Sequence, residues 1–243
     1  MKKKIQIGSW LTIGNTSIVE VMADAGFDWL CIDLEHSSID YENMKNMIMV
    51  IQGKGLKAFV RVGENNKRII KRVLDSGPDG IIIPNINSLS DAKKAVEFFN
   101  YPPKGTRGVG LSRAQSYGFD FDDYRENKTK NLKLIAQIEH INAIKDLKKI
   151  IELDGIDGTF IGPYDLSGSM NKTGQLNDPE VLDAIKSYEK IAKKYSKLIG
   201  FHVVPIDYSL VNKKIDQGFD FIGFGFDAYF LGNSIRFQLK NIK

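Results

Sequence analysis

The 243 residues are 42% hydrophobic and 26% charged, the size and composition of one α/β domain, expected to span 1–243. The formal charge is only +4, and lysines such as Lys145, Lys148, Lys149, Lys193 and Lys194 fall on helical segments, which argues against nucleic-acid binding. No apolar run is long enough for a membrane span, Met1-Lys2-Lys3-Lys4 lacks the pattern of a signal peptide, and a lone Cys31 forms no internal disulfide, so a cytoplasmic protein is expected.

Strands are predicted over 5–11, 29–35, 57–62, 80–85, 133–139, 158–163, 198–204 and 220–225. Helical segments separate them. Met44, Met47, Ile48 and Ile51 form an apolar stripe after the N-cap Asp40. Asp178-Pro179 opens a later helix whose buried face is read as Val181, Leu182, Ile185 and Tyr188. Gly-x-Asp recurs four times, at Gly26, Gly77, Gly155 and Gly218, each copy between a helix and a strand. There the glycine ends the helix, and the aspartate is expected to bond the backbone of the turn. Eight such strand–helix units in this length predict a (β/α)8 (TIM) barrel, in preference to an open doubly wound sheet. Residues 100–131 form one long irregular connection, of a length that is usually functional or interfacial.

Chemistry collects at the C-terminal ends of these strands. In Trp29-Leu30-Cys31-Ile32-Asp33-Leu34-Glu35-His36, alternation puts Leu30, Ile32 and Leu34 on one face and Cys31, Asp33 and Glu35 on the other. Arg61, Gln137, Glu139, His140, Asp165 and His202 fall at the same mouth. Glu139 and Asp165 are the best metal pair. Two carboxylates without cysteine or paired histidines suit a hard cation such as Mg²⁺ or Mn²⁺, although each could instead cap a helix or turn. Arg61 either neutralises a bound oxyanion or pairs with Glu139 or Asp33. His36 is a candidate base, and Asp75 a helix-terminal acid that could polarise a histidine. Lys57, Lys133 and Lys197 all sit at strand starts, so Schiff-base chemistry is not expected. Gly223-Phe224-Gly225 either cradles a phosphate or packs closely.

Together these motifs resemble the HpcH/HpaI family of metal-dependent class II pyruvate aldolases, over nearly the whole chain. The resemblance rests on Ala25-Gly26-Phe27-Asp28-Trp29, Asp33-Leu34-Glu35-His36, Val60-Arg61, Tyr101-Pro102-Pro103, Arg107-Gly108-Val109-Gly110, Gln137-Ile138-Glu139 and Gly162-Pro163-Tyr164-Asp165. It implies cleavage of a 4-hydroxy-2-oxo acid to pyruvate and an aldehyde, with Glu139 and Asp165 as ligands of Mg²⁺ or Mn²⁺ (Co²⁺ as an alternative) and no organic cofactor. It further implies that His36 is the base, Arg61 the transition-state stabiliser and Asp75 the partner of that histidine, with Gln137 and the Tyr164 backbone contacting the 2-oxo acid. The same resemblance implies a homo-oligomer, a hexamer exchanging the C-terminal segment 227–243 between subunits. Departures concern the aldehyde half. Leu34 and Ser37-Ser38 stand where family members commonly show Gly and Ala-Pro, Tyr164 replaces a small residue, and His202 stands where an aliphatic residue is usual. The two polar side chains predict a hydroxyl-bearing aldehyde, unless His202 is taken up by the backbone. The rivals are a citrate-synthase-like condensing enzyme on the same scaffold and a non-catalytic barrel that binds an oxo acid.

Overall fold

A computed structural model describes residues 4–242; Met1 to Lys3 of the basic N-terminal run and Lys243 lie outside them. Eight parallel strands close into a barrel in chain order: β1 Gln6–Leu11, β2 Trp29–Asp33, β3 Lys57–Arg61, β4 Gly80–Ile83, β5 Lys133–Ile138, β6 Gly158–Ile161, β7 Leu198–Val203 and β8 Phe221–Phe226. The helices are α1 Thr16–Ala23, α2 Tyr41–Gly53, α3 Lys67–Asp75, α4 Leu89–Phe99, α5 Phe121–Glu126, α6 Ile141–Glu152, α7 Pro163–Ser169, α8 Pro179–Ala192, α9 Tyr208–Asp216 and α10 Asp227–Ile242. The predicted (β/α)8 fold is the observed one. Several strands stop short of their predicted ends. β2 ends at Asp33, leaving Glu35 in the following loop, and β6 gives way at Gly162 to a helix with Pro163 at its first turn.

Alternation divides the barrel cleanly. Trp10, Trp29, Cys31, Phe59, Ile82, Ile135, Phe160 and Phe221 fill the interior, while Leu30, Ile32, Val60, Leu134 and Ile222 face the helices. Asp40 and Asp178 cap α2 and α8 as predicted. Leu182, however, is 39% exposed. The buried face of α8 is Val181, Ala184, Ile185 and Tyr188, a spacing of three, four and seven that leaves Leu182 a full 100° step away.

The four Gly-x-Asp motifs have one geometry. Each glycine has positive φ, between 79° and 95°, and each aspartate reaches across to the preceding strand rather than into its own turn. Asp28 accepts from the Ile7 N–H at 2.9 Å, Asp79 from Ala58 at 2.9 Å, Asp157 from Leu134 at 3.0 Å and Asp220 from Ile199 at 2.7 Å. The backbone carbonyl of each also accepts from the first residue of a further strand: Lys57, Lys133, Leu198 and Gln6 respectively. One aspartate therefore ties three neighbouring strands at the barrel's N-terminal end.

The connection between α4 and β5 is less irregular than predicted. It holds α5 and two short 3-10 turns, Arg113–Gly118 and Lys128–Asn131. Its anchor is Arg107, 1% exposed, stacked on Tyr101 and Tyr124 and paired with Asp75 at 2.9 Å. The predicted glycine pair after β8 lies within the strand. A Cβ at Gly223 would stand 2.9 Å from Trp10 Nε1, and one at Gly225 2.6 Å from the Phe230 ring, so close packing accounts for both.

Asp220 is buried, and removing its carboxylate strands the Ile199 N–H. Asp220→Ala is expected to lower stability by about 1–3 kcal/mol in urea unfolding. Asp216→Ala, at an exposed carboxylate, should change it by less than about 0.5 kcal/mol. Equal effects of the two would contradict the strand-tying role.

Candidate active site

Arg61, Gln137 and His202 each stand two residues above an interior position, Phe59, Ile135 and Gly200, and so point inward at the C-terminal mouth. Arg61 is held from three sides. Its Nε and Nη2 reach the two Asp33 oxygens at 2.9 and 2.6 Å, its Nη1 stands 3.2 Å from Glu35 Oε2, and the guanidinium lies 4.6 Å over the Trp10 ring. Of the pairings left open by the sequence, the one with Asp33 is made. Such a bidentate pair fixes the plane of the guanidinium as well as its position. Burial raises the Asp33 carboxyl, but the Arg61 hydrogen bonds and charge outweigh it, and the group is held below the usual carboxylate range.

Glu139 follows β5 and is 5% exposed. Its Oε1 accepts from the Asn85 N–H at 2.5 Å and its Oε2 from Gln137 Nε2. Asn85 reaches this position with φ of 57°, a conformation that asparagine tolerates. Burial raises the Glu139 carboxyl, and the nearby charge of Asp165 adds to the rise. Asp165, in the first turn of α7, is exposed and accepts no hydrogen bond from the described residues. Gly162 keeps the space above the pair open: a Cβ there would stand 3.1 Å from Glu139 Cβ and 3.2 Å from its Oε2.

The mouth thus gathers Asp33, Glu35, Glu139 and Asp165 around one guanidinium, an excess of negative charge that a divalent cation would relieve. Among the described residues no group of three or more His, Cys, Asp or Glu forms a metal cage. Two carboxylates are nevertheless a sufficient protein share for a hard cation that takes its other ligands from water and substrate. Gln137 Oε1, buried beside Glu139, also accepts no hydrogen bond among the described residues, whereas Glu35 Oε2 is taken up by the Arg61 ion pair. The donor set therefore fits a hard divalent metal.

His36 is largely exposed on the loop after β2, its Nε2 3.7 Å from Glu35 Oε2. Asp75 ends α3, the helix that runs from the mouth toward the N-terminal end of the barrel, and its ion pair is with Arg107. Within one chain the expected His36–Asp75 partnership is therefore not made; the carboxylate beside His36 is Glu35. His202 Nε2 bonds the Gly225 carbonyl at 3.0 Å and its ring packs 5.5 Å from Trp10. Burial pushes its pKa down to about 4, so the neutral ring carries its proton on Nε2 and leaves Nδ1 as an acceptor. Tyr164 is half-exposed on α7. His140 caps α6 through Nδ1.

Sequence reasoning placed Asp33 and Glu35 at this mouth without giving either a role, and it passed over Trp10 and Asn85. Glu35 was legible as the neighbour of His36, and Asp33 as the residue two before it on the same face. Asn85 contributes only a backbone N–H, for which its side chain gives no signal.

The sequence pattern of the HpcH/HpaI aldolase/citrate lyase family matches residues 6–234. The chain belongs to this family, and it is an enzyme of the metal-dependent class II aldolase type. It is similar to a 5-keto-4-deoxy-D-glucarate aldolase of Enterobacter sp. (strain 638), 35% identical over 226 residues, covering 93% of this chain and 87% of the relative. A 2-keto-3-deoxy-L-rhamnonate aldolase of Salmonella typhi is 33% identical over 244 residues, covering 100% of this chain and 90% of the relative. Among solved structures, an HpcH/HpaI aldolase/citrate lyase family protein from Burkholderia cenocepacia J2315 superimposes with a TM-score of 0.93 at 28% identity, covering 98% of this chain and 95% of that one.

Burial pushes the Glu35 carboxyl up to about 7 from its ordinary 4.5, against the charge of Arg61 and with that of Glu139. Because the folded value lies above the unfolded one, Glu35 takes up a proton on folding across that window. Its contribution to stability is full below the window and is lost as the pH rises through about 7. In metal-free protein, the stability gained by Glu35→Gln over wild type should therefore be larger at pH 8 than at pH 5. A gain independent of pH, measured by urea unfolding, contradicts the assignment.

Proposed function

We propose that this enzyme cleaves a sugar-derived 4-hydroxy-2-oxo acid to pyruvate and a hydroxylated aldehyde. The observation that carries the reading is the crowding of Glu139, Asp165 and Glu35 around a mouth whose one guanidinium is already held by Asp33. Glu139 and Asp165 would hold the cation, Mg²⁺ or Mn²⁺ with Co²⁺ as an alternative, which supplies Lewis-acid polarisation of the 2-oxo group when bound. Gln137 orients Glu139 through its amide and presents Oε1 to the site. The Tyr164 N–H, in the first turn of α7, has no intrahelical acceptor and is available to the substrate carboxylate.

His36 takes the C4 hydroxyl proton, and Glu35 beside it is placed to share that proton. Arg61, its plane fixed by Asp33, offers its Nη1 edge to negative charge developing on the three-carbon fragment. The relatives named for deoxy-keto sugar acids support a hydroxylated aldehyde, and His202 Nδ1 is an acceptor for such a hydroxyl. The alternative that His202 is taken up by the backbone holds for Nε2, which bonds the Gly225 carbonyl, so only Nδ1 is offered to substrate.

The active form in this reading is a homo-oligomer, a hexamer by family resemblance. In α10 only Asp227 is buried, while Leu231, Ile235, Phe237, Leu239 and Ile242 are exposed, which supports its packing on a second copy. Asp75, remote from His36 in its own chain, would then act across a subunit boundary. The buried Cys31 thiol suits a reducing cytoplasm.

The enzyme should exchange the methyl protons of pyruvate with deuterated solvent when Mg²⁺ or Mn²⁺ is added, an assay that needs no aldehyde. His36→Ala should retain pyruvate binding while lowering turnover on the oxo acid by roughly 10²–10⁴-fold. No exchange with any divalent metal would favour a non-catalytic oxo-acid binder. A monomer in sedimentation velocity would contradict the assembly.

A further inference from the structure

The end of the barrel opposite the active site is electrically its inverse. Two residues below Gly8, Phe59, Ile135 and Gly200, the lowest inward-facing positions are Gln6, Lys57, Lys133 and Leu198. Two lysines and a glutamine thus stand where an apolar plug would suffice for stability. The 100–131 connection folds beneath them and lines one side of a half-open cleft of about 490 Å³, walled by Phe59, Pro78, Leu132 and Leu198 as well as by polar groups. A second cavity of about 550 Å³ shares Gln6, Leu132, Lys133 and Leu198 with it. These volumes fall within the range of small-molecule sites.

The lining of the two cavities carries six cationic side chains (Lys57, Arg113, Lys128, Lys130, Lys133 and Lys197) against the three carboxylates of Asp79, Asp154 and Asp157. Lys128 is paired with Asp120 and Asp123 at 3.6 and 3.4 Å, so the positive excess of the lining rests on the other five. Among the described residues Arg113 is held by neutral acceptors, Gln52 Oε1 at 2.7 Å, the Ser76 carbonyl at 2.9 Å and that of Gly77 at 3.2 Å. Lys130 has no ion pair among the described residues, and the Gln6 amide makes no side-chain hydrogen bond among them. Lys57 and Lys133 pair with Asp79 and Asp157 at 2.9 and 3.1 Å, but at exposures of 65% and 41% solvent screens such pairs and they contribute little to stability. A structural role accounts poorly for this arrangement.

We propose that these two adjoining cavities beneath the barrel bind a small phosphorylated metabolite, its phosphate held at Lys133, which lines both, with Lys57 lining the first and Lys130 the second, and its organic body lying in the first against Phe59, Leu132 and Leu198. Lysine is a compact point charge suited to phosphate, and the apolar wall favours a phosphate ester over free phosphate. The site is separate from the catalytic mouth, joined to it through β5, which runs from Lys133 to Gln137.

The test is isothermal titration of metal-free, full-length protein with phenyl phosphate and with inorganic phosphate at matched ionic strength. One phenyl phosphate per chain should bind saturably, and more tightly than inorganic phosphate. Lys57→Gln with Lys133→Gln should weaken it by roughly tenfold or more, while metal-dependent pyruvate proton exchange stays within about twofold of wild type. Lys130→Gln alone, on an exposed side chain, should weaken binding in the same direction and serves if the double variant fails to fold. The proposal is overturned if phenyl phosphate does not saturate, if it binds no better than inorganic phosphate, or if the lysine variants bind it as wild type does.

Discussion

The register of the barrel rests on four aspartates, Asp28, Asp79, Asp157 and Asp220. Each accepts the N–H of the strand before it and gives its carbonyl to the strand after it. A one-residue slip would turn every inward side chain outward. With the register held at the N-terminal end, Arg61, Gln137 and His202 arrive at the other end pointing inward. The chemistry of the mouth therefore depends on hydrogen bonds made a full strand length away. Glycines at positive φ make this possible, because only such a turn brings each aspartate to its strand directly from a helix end.

At the mouth, the controlling fact is an imbalance of charge. A buried ion pair such as Arg61–Asp33 adds little net stability, and losing one partner costs several kcal/mol. Its role is to fix a guanidinium in place beside Glu35 and below Glu139. Burial is the main cause that raises the Glu35 and Glu139 carboxyls, and repulsion from neighbouring acids, Glu139 on Glu35 and Asp165 on both, adds to the rise. That repulsion is the cost of a site built for a cation, and it disposes the metal-free protein to hold protons that the cation would displace.

Much of this was legible in the sequence, for identifiable reasons. Strand alternation in Cys31-Ile32-Asp33 and apolar spacing in Met44-Met47-Ile48-Ile51 are local signals, and the barrel followed from their repetition. What the sequence hid was pairing across distance. Nothing local shows that Asp75 belongs to Arg107, that Asp33 rather than Glu139 takes Arg61, or that His202 turns to Gly225. The Gly-x-Asp motif was visible as a repeat, but its partner strand was not, because the bond crosses 21 to 23 residues of chain. The misplacement of Leu182 was a smaller error of the same kind: one helical step decides burial, and a run of adjacent apolar residues conceals it.

The central claim is that Glu139 and Asp165 form the protein's share of a cation site. It is tested most directly by titrating metal-free protein with Mn²⁺ and reading free ion by electron paramagnetic resonance. The account predicts one Mn²⁺ per chain, tightened by pyruvate, weakened sharply by Glu139→Gln and by Asp165→Asn, and retained in His36→Ala. Binding that survives both carboxylate substitutions, or that is lost with His36→Ala, would contradict it.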